Sequence, residues 1–521
     1  MSRTGTSAAG WWSAATGATV GDQYWYRVGR GVPLLDPGAL DVELTPHGPV
    51  SVVSDHWPSG CPGGAAVASL TTSPVIYEAH VRGFARTFEG MIERLDHLVD
   101  LGVDVIELMP VHPFDTKGNY WGYMPLVWGA VQREFGKQVP AAGSLAALTA
   151  AAHERGLAIW LDVVFNHTGE GSEHLRTLSL RGSHPGAYLR RDDGRYNDDT
   201  GCGNTVDVRD PEVCRLILES LDRYASLGVD GFRFDLATIL TRDGGAFAHR
   251  IGDWAEQRGV ALVAEPWDLA AYSVGPSFAD RRWGQWNDRF REDVRGFLRS
   301  EAGRVPAMMQ RIAGSPDLFP GESWRSVNFI TAHDGLTLFD LTSVTSERHR
   351  SWDCGEALRP QQLRNAFCFL LLSAGSPMFV MGDESARTQG GHDNPYDVDG
   401  PISWLDWSRL DEWRDLYEFV RALIRIRKRH AVTSHWGGGG PAVLHFHGPF
   451  GDPHHESRAI AWQSGDVQVF ANMGWETTVF PVVDAGRWRL ALATAPGVEH
   501  HDADGGDRIT VPPRCVAVLD R

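Results

Sequence analysis

The chain has 521 residues, 42% hydrophobic and 22% charged, an ordinary globular composition that excludes disorder and is too long for a single core, so one large domain with smaller companions is expected. Its 49 Lys and Arg against 66 Asp and Glu leave a net charge of −17, which repels phosphate backbones and anionic lipid. An uncharged partner is therefore expected, with neither nucleic acid nor membrane.

The first residues, MSRTGTSAAGWWSAATG, lack the continuous apolar run of a signal or anchor, and the expectation is a cytoplasmic protein. The most apolar stretch, Cys368 to Met381, is too short to span a bilayer and is broken by Gly375 and Pro377. Six cysteines without metal-ligand spacing point to reduced, mostly buried thiols.

Residues 1–74, rich in Gly, Pro, Val and Trp, suggest a small N-terminal β-module. From residue 75 short β-rich runs alternate with helical patterns: VIYEAHV (75–81), a helix over 87–102, VIELMPV (105–111), a helix over 144–156, and AIWLDVVFNH (159–167). A helix over 212–228 leads to VDGFRFDLATIL (229–240), a helix over 245–259 to ALVAEPW (261–267), and further strands follow at 326–333 and 377–384 with helices near 361–374 and 411–430. About eight such units over 75–435 predict an α/β fold, a (β/α)8 TIM barrel with insertions. The GGGG run at 437–440 marks a joint, and 436–521 is expected to form a C-terminal antiparallel β-sandwich. No glycine-rich nucleotide loop follows any strand.

In the stretch at 229–240, alternation puts Phe232, Phe234 and Leu236 on one face and Arg233 with Asp235 on the other. A buried cation beside a buried anion is costly unless the two pair or do chemistry, and alone a structural ion pair is the simpler reading. Catalytic groups of such barrels gather at the C-terminal ends of the strands. There the chain carries DVVFNH (162–167), GFRFD (231–235), AEPWD (264–268), TAHD (331–334) and NYWGY (119–123). Taken singly, these residues suit turns and helix caps. Together they bring Asp235, Glu265 and Asp334 to one mouth with two histidines and an arginine, where like charges split their pKa values. That is the equipment of glycoside hydrolysis: an ionised carboxylate at the anomeric carbon, kept charged by Arg233, and a protonated one at the leaving oxygen.

These spaced motifs resemble the four short regions of the α-amylase family, glycoside hydrolase family 13. The resemblance implies that Asp235 is the nucleophile, Glu265 the general acid/base and Asp334 a third carboxylate holding ring hydroxyls, with retention through a covalent glucosyl-enzyme. It further implies that His167 and His333 bind hydroxyls, that Tyr123 stacks under the sugar at the cleavage site, and that Asp162 supports Arg233 beside Asn166. Trp121, Trp267 and Trp286 are candidate sugar platforms, with core packing as the alternative for each.

The stretches at 177–213, 326–343 and 382–407 resemble the isoamylase and bacterial glycogen-debranching group. In that group the substrate is the α-1,6 branch of glycogen or a related α-glucan. The alternatives are an α-1,4-acting hydrolase, a trehalohydrolase or a glucanotransferase of the same family, and, from another class, a catalytically idle glucan-binding scaffold. No cofactor is implied, and no metal ligands are identified; calcium, frequent in the wider family, has no residues here to which it can be assigned. The sequence does not specify an oligomeric state. Two departures accompany the resemblance: residues 10–40 resemble only the second half of the usual N-terminal glucan-binding module, and MPLVWGAVQREFG (124–136), expected to border the site, lacks the usual aromatic continuation.

Overall fold

The computed structural model describes residues 17–54, 57–58, 70–430, 444–484, 486–501 and 507–521, and the backbone of 2–3 and 12–13. Eight parallel strands close into a barrel: β1 (Ile76–Ala79), β2 (Val105–Leu108), β3 (Ala158–Val163), β4 (Gly231–Phe234), β5 (Ala261–Ala264), β6 (Gly284–Asn287), β7 (Ser326–Phe329) and β8 (Ser376–Val380). Closure is made by β8 on β1, with Met378 opposite Ile76 and Val380 opposite Glu78. The strands are buried on both faces, the reason their sequences run nearly continuously apolar.

Outward residues such as Phe232 and Phe234 join the layer beneath the surrounding helices. Inward residues form a separate core of Ile76, Val105, Ala158, Trp160, Val263, Trp286, Val327 and Met378 that fills the lower barrel. Gly231 is required by this filling, because a Cβ there would lie 2.6 Å from the indole of Trp160. One layer nearer the C-terminal ends, the inward positions become Glu78, Glu107, Asp162 and Arg233, all buried.

The helix over Pro211–Ser226 illustrates how the connections are set. Asp210 caps it, accepting from the amides of Glu212 at 2.9 Å and Val213 at 3.2 Å, with Pro211 in the first turn. Val213, Ile217, Leu221 and Tyr224 then bury one stripe against the barrel.

The sixth strand, GQWN, was not among the strands expected from sequence. Two of its four residues are amides, Gln285 and Asn287, which sequence patterning takes for loop. Burial is tolerated because Gln285 pairs with both backbone groups of Gly275 and Asn287 donates to Ser315 and Ser326.

Before the barrel, a three-stranded antiparallel sheet is built from Gln23–Tyr24, Val42–Thr45 and Gly48–Val52, with 48–52 central. The segment after NYWGY packs in part against this module. Leu126, Val127 and Ala130 form one apolar cluster with Leu35, Ala39 and Val42, and Arg133 is bound by Asp41 and Glu43 at 2.6 and 2.7 Å.

After the barrel, a five-stranded sheet (His445–His447, Ala459–Ser464, Val467–Asn472, Cys515–Asp520, Arg489–Ala493) faces a three-stranded one (Thr478–Pro481, Arg508–Val511, Glu499–His501). Phe470, Phe480, Ile509 and Leu519 lie between them. The outer face of the larger sheet packs on the barrel's helices, Trp462 stacking on Phe369. The glycine run at 437–440, Cys61 and most of residues 1–16 lie outside the described residues; the other five cysteines are free. No helix among the described residues is long and apolar enough to cross a membrane.

Candidate active site

Arg233 is the hub of the site. It stands on β4 opposite Asp162 of β3, fully buried, with its guanidinium 4.1 Å from the centre of the Trp286 ring. Nη1 donates to Asp162 at 2.9 and 3.0 Å and to Asp235 Oδ1 at 3.1 Å, while Nη2 lies 3.1 Å from Glu265 Oε2. One planar cation thus joins three carboxylates from three neighbouring strands, a geometry that suits the fixed fork of arginine.

The chain turns sharply after β4. Asp235 still bonds the β3 backbone through Val163, but Leu236 adopts φ +41°, left-handed for a branched residue. Leu236 therefore does not continue the face of Phe232 and Phe234, as alternation predicts. Its amide instead donates to Glu265 Oε2 at 2.9 Å. The turn leaves the carboxylates of Asp235 and Glu265 partly open, at 12% and 13% exposure, above the sealed Arg233.

The two carboxyls have different surroundings. Asp235 accepts from Arg233 and, at 2.8 Å, from Asn166 Nδ2. For Glu265, burial drives the pKa up to about 8, Arg233 and the Leu236 amide opposing it while Asp235 and Asp334 add to it. Asp162, sunk in the barrel, is pushed up to about 6 by burial even with Arg233 against it, and it accepts from the Tyr123 hydroxyl at 2.6 Å. Asp334, after β7, is open to solvent at the mouth; desolvation there is outweighed by His333, Arg291 and Arg233, which hold its carboxyl below the usual range.

Tyr123 and His333 are stacked, ring centres 4.9 Å apart at 25°. Trp121 meets His333 edge-on at 5.0 Å and is 8% exposed, in a cluster with Met109 and Tyr120. Both Trp121 and the 2% exposed Trp286 are packed against neighbouring side chains. Trp267 is half-buried against Val274, Leu318 and Phe319. His167 also departs from expectation: it is 1% exposed, and its ring nitrogens are taken by Asn166 Oδ1 and, at 2.6 Å, the Tyr123 carbonyl. It braces the asparagine that serves Asp235 and leaves no nitrogen for a hydroxyl.

Glu78 and Glu107 were not singled out in the sequence, although a glutamate inside each of two apolar strands was a visible signal. Glu78 Oε1 lies 2.7 Å from His333 Nδ1. Among the described residues no group of three or more His, Cys, Asp or Glu side chains is arranged to hold a metal ion.

Residues 78–185 match the alpha amylase catalytic domain family. The glycogen debranching enzyme of Cronobacter sakazakii is 34% identical over 520 residues, 85% of this chain and 76% of that protein. The chain belongs to the α-amylase family, in its isoamylase and glycogen-debranching group. Other members of the family are similar over a smaller share of the chain: a glycogen operon protein GlgX homolog of Mycobacterium tuberculosis is 36% identical over 69% of this chain and 58% of its own length. The chloroplastic isoamylase SU1 of Zea mays is 34% identical over 68% of this chain and 55% of its own. The chain thus spans little more than half the length of these α-amylase family relatives. A pullulanase from Anoxybacillus sp. LM18-11, solved with maltotetraose, superposes with a TM-score of 0.77 at 25% identity over 94% of this chain and 77% of that one.

Proposed function

We propose that the protein is a retaining glycoside hydrolase that cleaves α-1,6 branch linkages in glycogen, limit dextrin or a related branched α-glucan. The observation that carries the reading is the Asp235–Arg233–Glu265 arrangement, two carboxyls of unlike environment joined by one guanidinium at a mouth that opens above them. Likeness to debranching and isoamylase proteins supports the branched substrate.

In this reading the protonated Glu265 gives its proton to the glycosidic oxygen as Asp235 attacks the anomeric carbon, so that the C–O bond to the leaving chain breaks while an ester to Asp235 forms. Glu265, now a carboxylate, takes a proton from water as that water displaces Asp235, and configuration is retained. Asp334 and His333 hold hydroxyls of the sugar, and Tyr123 lies beneath it. Asp162 and Asn166 support the pair, with Trp267 at the edge of the mouth. The proposal includes a cytoplasmic site of action, where the storage polymer is found.

The deciding experiment incubates the protein with phosphorylase-limited glycogen and, separately, with linear maltoheptaose, using Asp235→Asn as control. Discrete short linear chains released from the branched substrate alone are expected. Cleavage or redistribution of maltoheptaose would replace the reading with an α-1,4-acting or transferring enzyme.

A further inference from the structure

Beneath the mouth lies a charge arrangement that the mechanism above does not use. Glu78, on β1, is 1% exposed and faces Glu107 of β2 across the register. Its Oε1 is 2.7 Å from His333 Nδ1; its Oε2 and both carboxyl oxygens of Glu107 have no hydrogen-bond partner among the described residues. A buried carboxylate lacking donors is costly, and so is a buried imidazolium without an anion; each becomes tolerable only beside the other.

We propose that Glu78 is a positioning residue for His333: it accepts Nδ1–H from inside the barrel and keeps the ring doubly protonated, so that Nε2–H is presented as a donor to a sugar hydroxyl. The proposal rests on reading the mouth as an α-glucan site. The geometry restricts the ring in two further ways. Stacking on Tyr123 and the edge of Trp121 hold its plane, and the Tyr123 hydroxyl, 3.4 Å from Nδ1, donates to Asp162. With Nδ1 committed to Glu78, Nε2 is the nitrogen left for a ligand.

The charged and titratable groups facing His333 are Glu78 from β1, Glu107 from β2, Tyr123 after β2, Asp162 from β3, Arg233 from β4 and its neighbour Asp334. Burial alone would neutralise the ring, but Glu78, by charge and hydrogen bond, and Asp334 raise its pKa to about 9 against Arg233. Burial first, and then the charge of Glu78, push Glu107 far above the carboxylate range. Burial and the neighbouring carboxylate thus favour the neutral form of Glu107, and Glu78 is the one whose oxygen meets the His333 ring.

The test is a titration of the full chain carrying 15N-labelled histidine, the His333 signal being assigned with His333→Gln, beside pH profiles of kcat/KM on phosphorylase-limited glycogen. His333 is expected to remain doubly protonated through neutral pH in the wild type. In Glu78→Gln, whose amide oxygen still accepts Nδ1–H, its midpoint should fall by about two pH units. Activity near pH 5 should stay within a few-fold of wild type while the alkaline limb, set near 8 by Glu265 in the wild type, moves down by about one pH unit as His333 comes to limit it. Glu78→Asp should restore much of the midpoint, and Glu107→Gln should leave it in place. A wild-type His333 that titrates at or below 6.5, or a Glu78→Gln enzyme with an unchanged alkaline limb, would overturn the proposal. Should Glu78→Gln fail to fold, the wild-type titration and Glu78→Asp decide. The titration needs no substrate, so a chain that leaves glucans intact would refute the functional reading through a different result.

Discussion

Arg233 Nη2 lies 3.1 Å from Glu265 Oε2, and the same guanidinium binds Asp235 through Nη1. The arginine therefore binds both carboxyls that the proposed mechanism uses as acid and as nucleophile. Its attraction restrains the pKa of Glu265, which burial and two neighbouring carboxylates would otherwise carry higher. A general acid is most effective when its pKa lies near the working pH, and a value of about 8 keeps Glu265 protonated yet able to release its proton.

Replacing Arg233 by lysine keeps the charge but not the fork. One ammonium cannot reach Asp162, Asp235 and Glu265 together. A loss in kcat of about 100-fold or more is expected, together with a lower Tm, because buried carboxylates lose donors. Wild-type turnover by Arg233→Lys would show that the shared geometry is dispensable.

The pH dependence of kcat/KM follows from the same group. The acid form of Glu265 disappears as pH rises through about 8, so activity should fall on the alkaline side with a limb in that region. The limb belongs to the coupled carboxyls and not to one residue alone. A profile still rising above pH 9 would contradict the assignment of Glu265 as acid.

Glu265→Gln tests role and stability at once. Turnover should drop by about 10²- to 10⁴-fold while glucan binding persists. For stability the sign is fixed by the raised pKa: from 4.5 to about 8 the native state retains a proton that the unfolded chain has released, so the stability of the wild type is eroded as pH rises across that window. The variant lacks this penalty. Its Tm should gain on the wild type from pH 5 to pH 8 and run parallel above; a difference that stays constant with pH would refute the account.

Tyr123→Phe removes the 2.6 Å hydrogen bond to Asp162 but keeps the stack on His333. The cost of leaving buried Asp162 one donor short is about 1–2 kcal/mol, so kcat/KM should fall about tenfold with little change in maltooligosaccharide affinity. A large rise in dissociation constant with kcat intact would mean that the hydroxyl itself holds sugar.

At the barrel floor, Gly231→Ala should destabilise by about 1–3 kcal/mol through collision with Trp160. Adding Trp160→Phe should recover part of that loss in thermal unfolding. An undiminished Tm in the single variant would show that the interior can yield.

The alternation of strands and helices, the parallel barrel and the polar residues at the strand ends were all readable from the chain. They rest on local periodicity and on the rule that both faces of a parallel strand are buried. Local pattern failed where burial was decided by distant partners. GQWN looks like a loop until Gly275, Ser315 and Ser326 satisfy its amides. His167 looks ready for a sugar until the Tyr123 carbonyl and Asn166 occupy its ring.

By itself, then, the sequence determined which residue types stand at the strand ends and that three carboxylates would meet there. Tertiary structure alone decided how they share one guanidinium, which aromatics are sealed, and that Glu78 lies beneath His333, 255 residues away in the chain. The physical reason is that strand periodicity is written in neighbouring residues, whereas the protonation and orientation of a buried side chain depend on whatever register and closure bring against it.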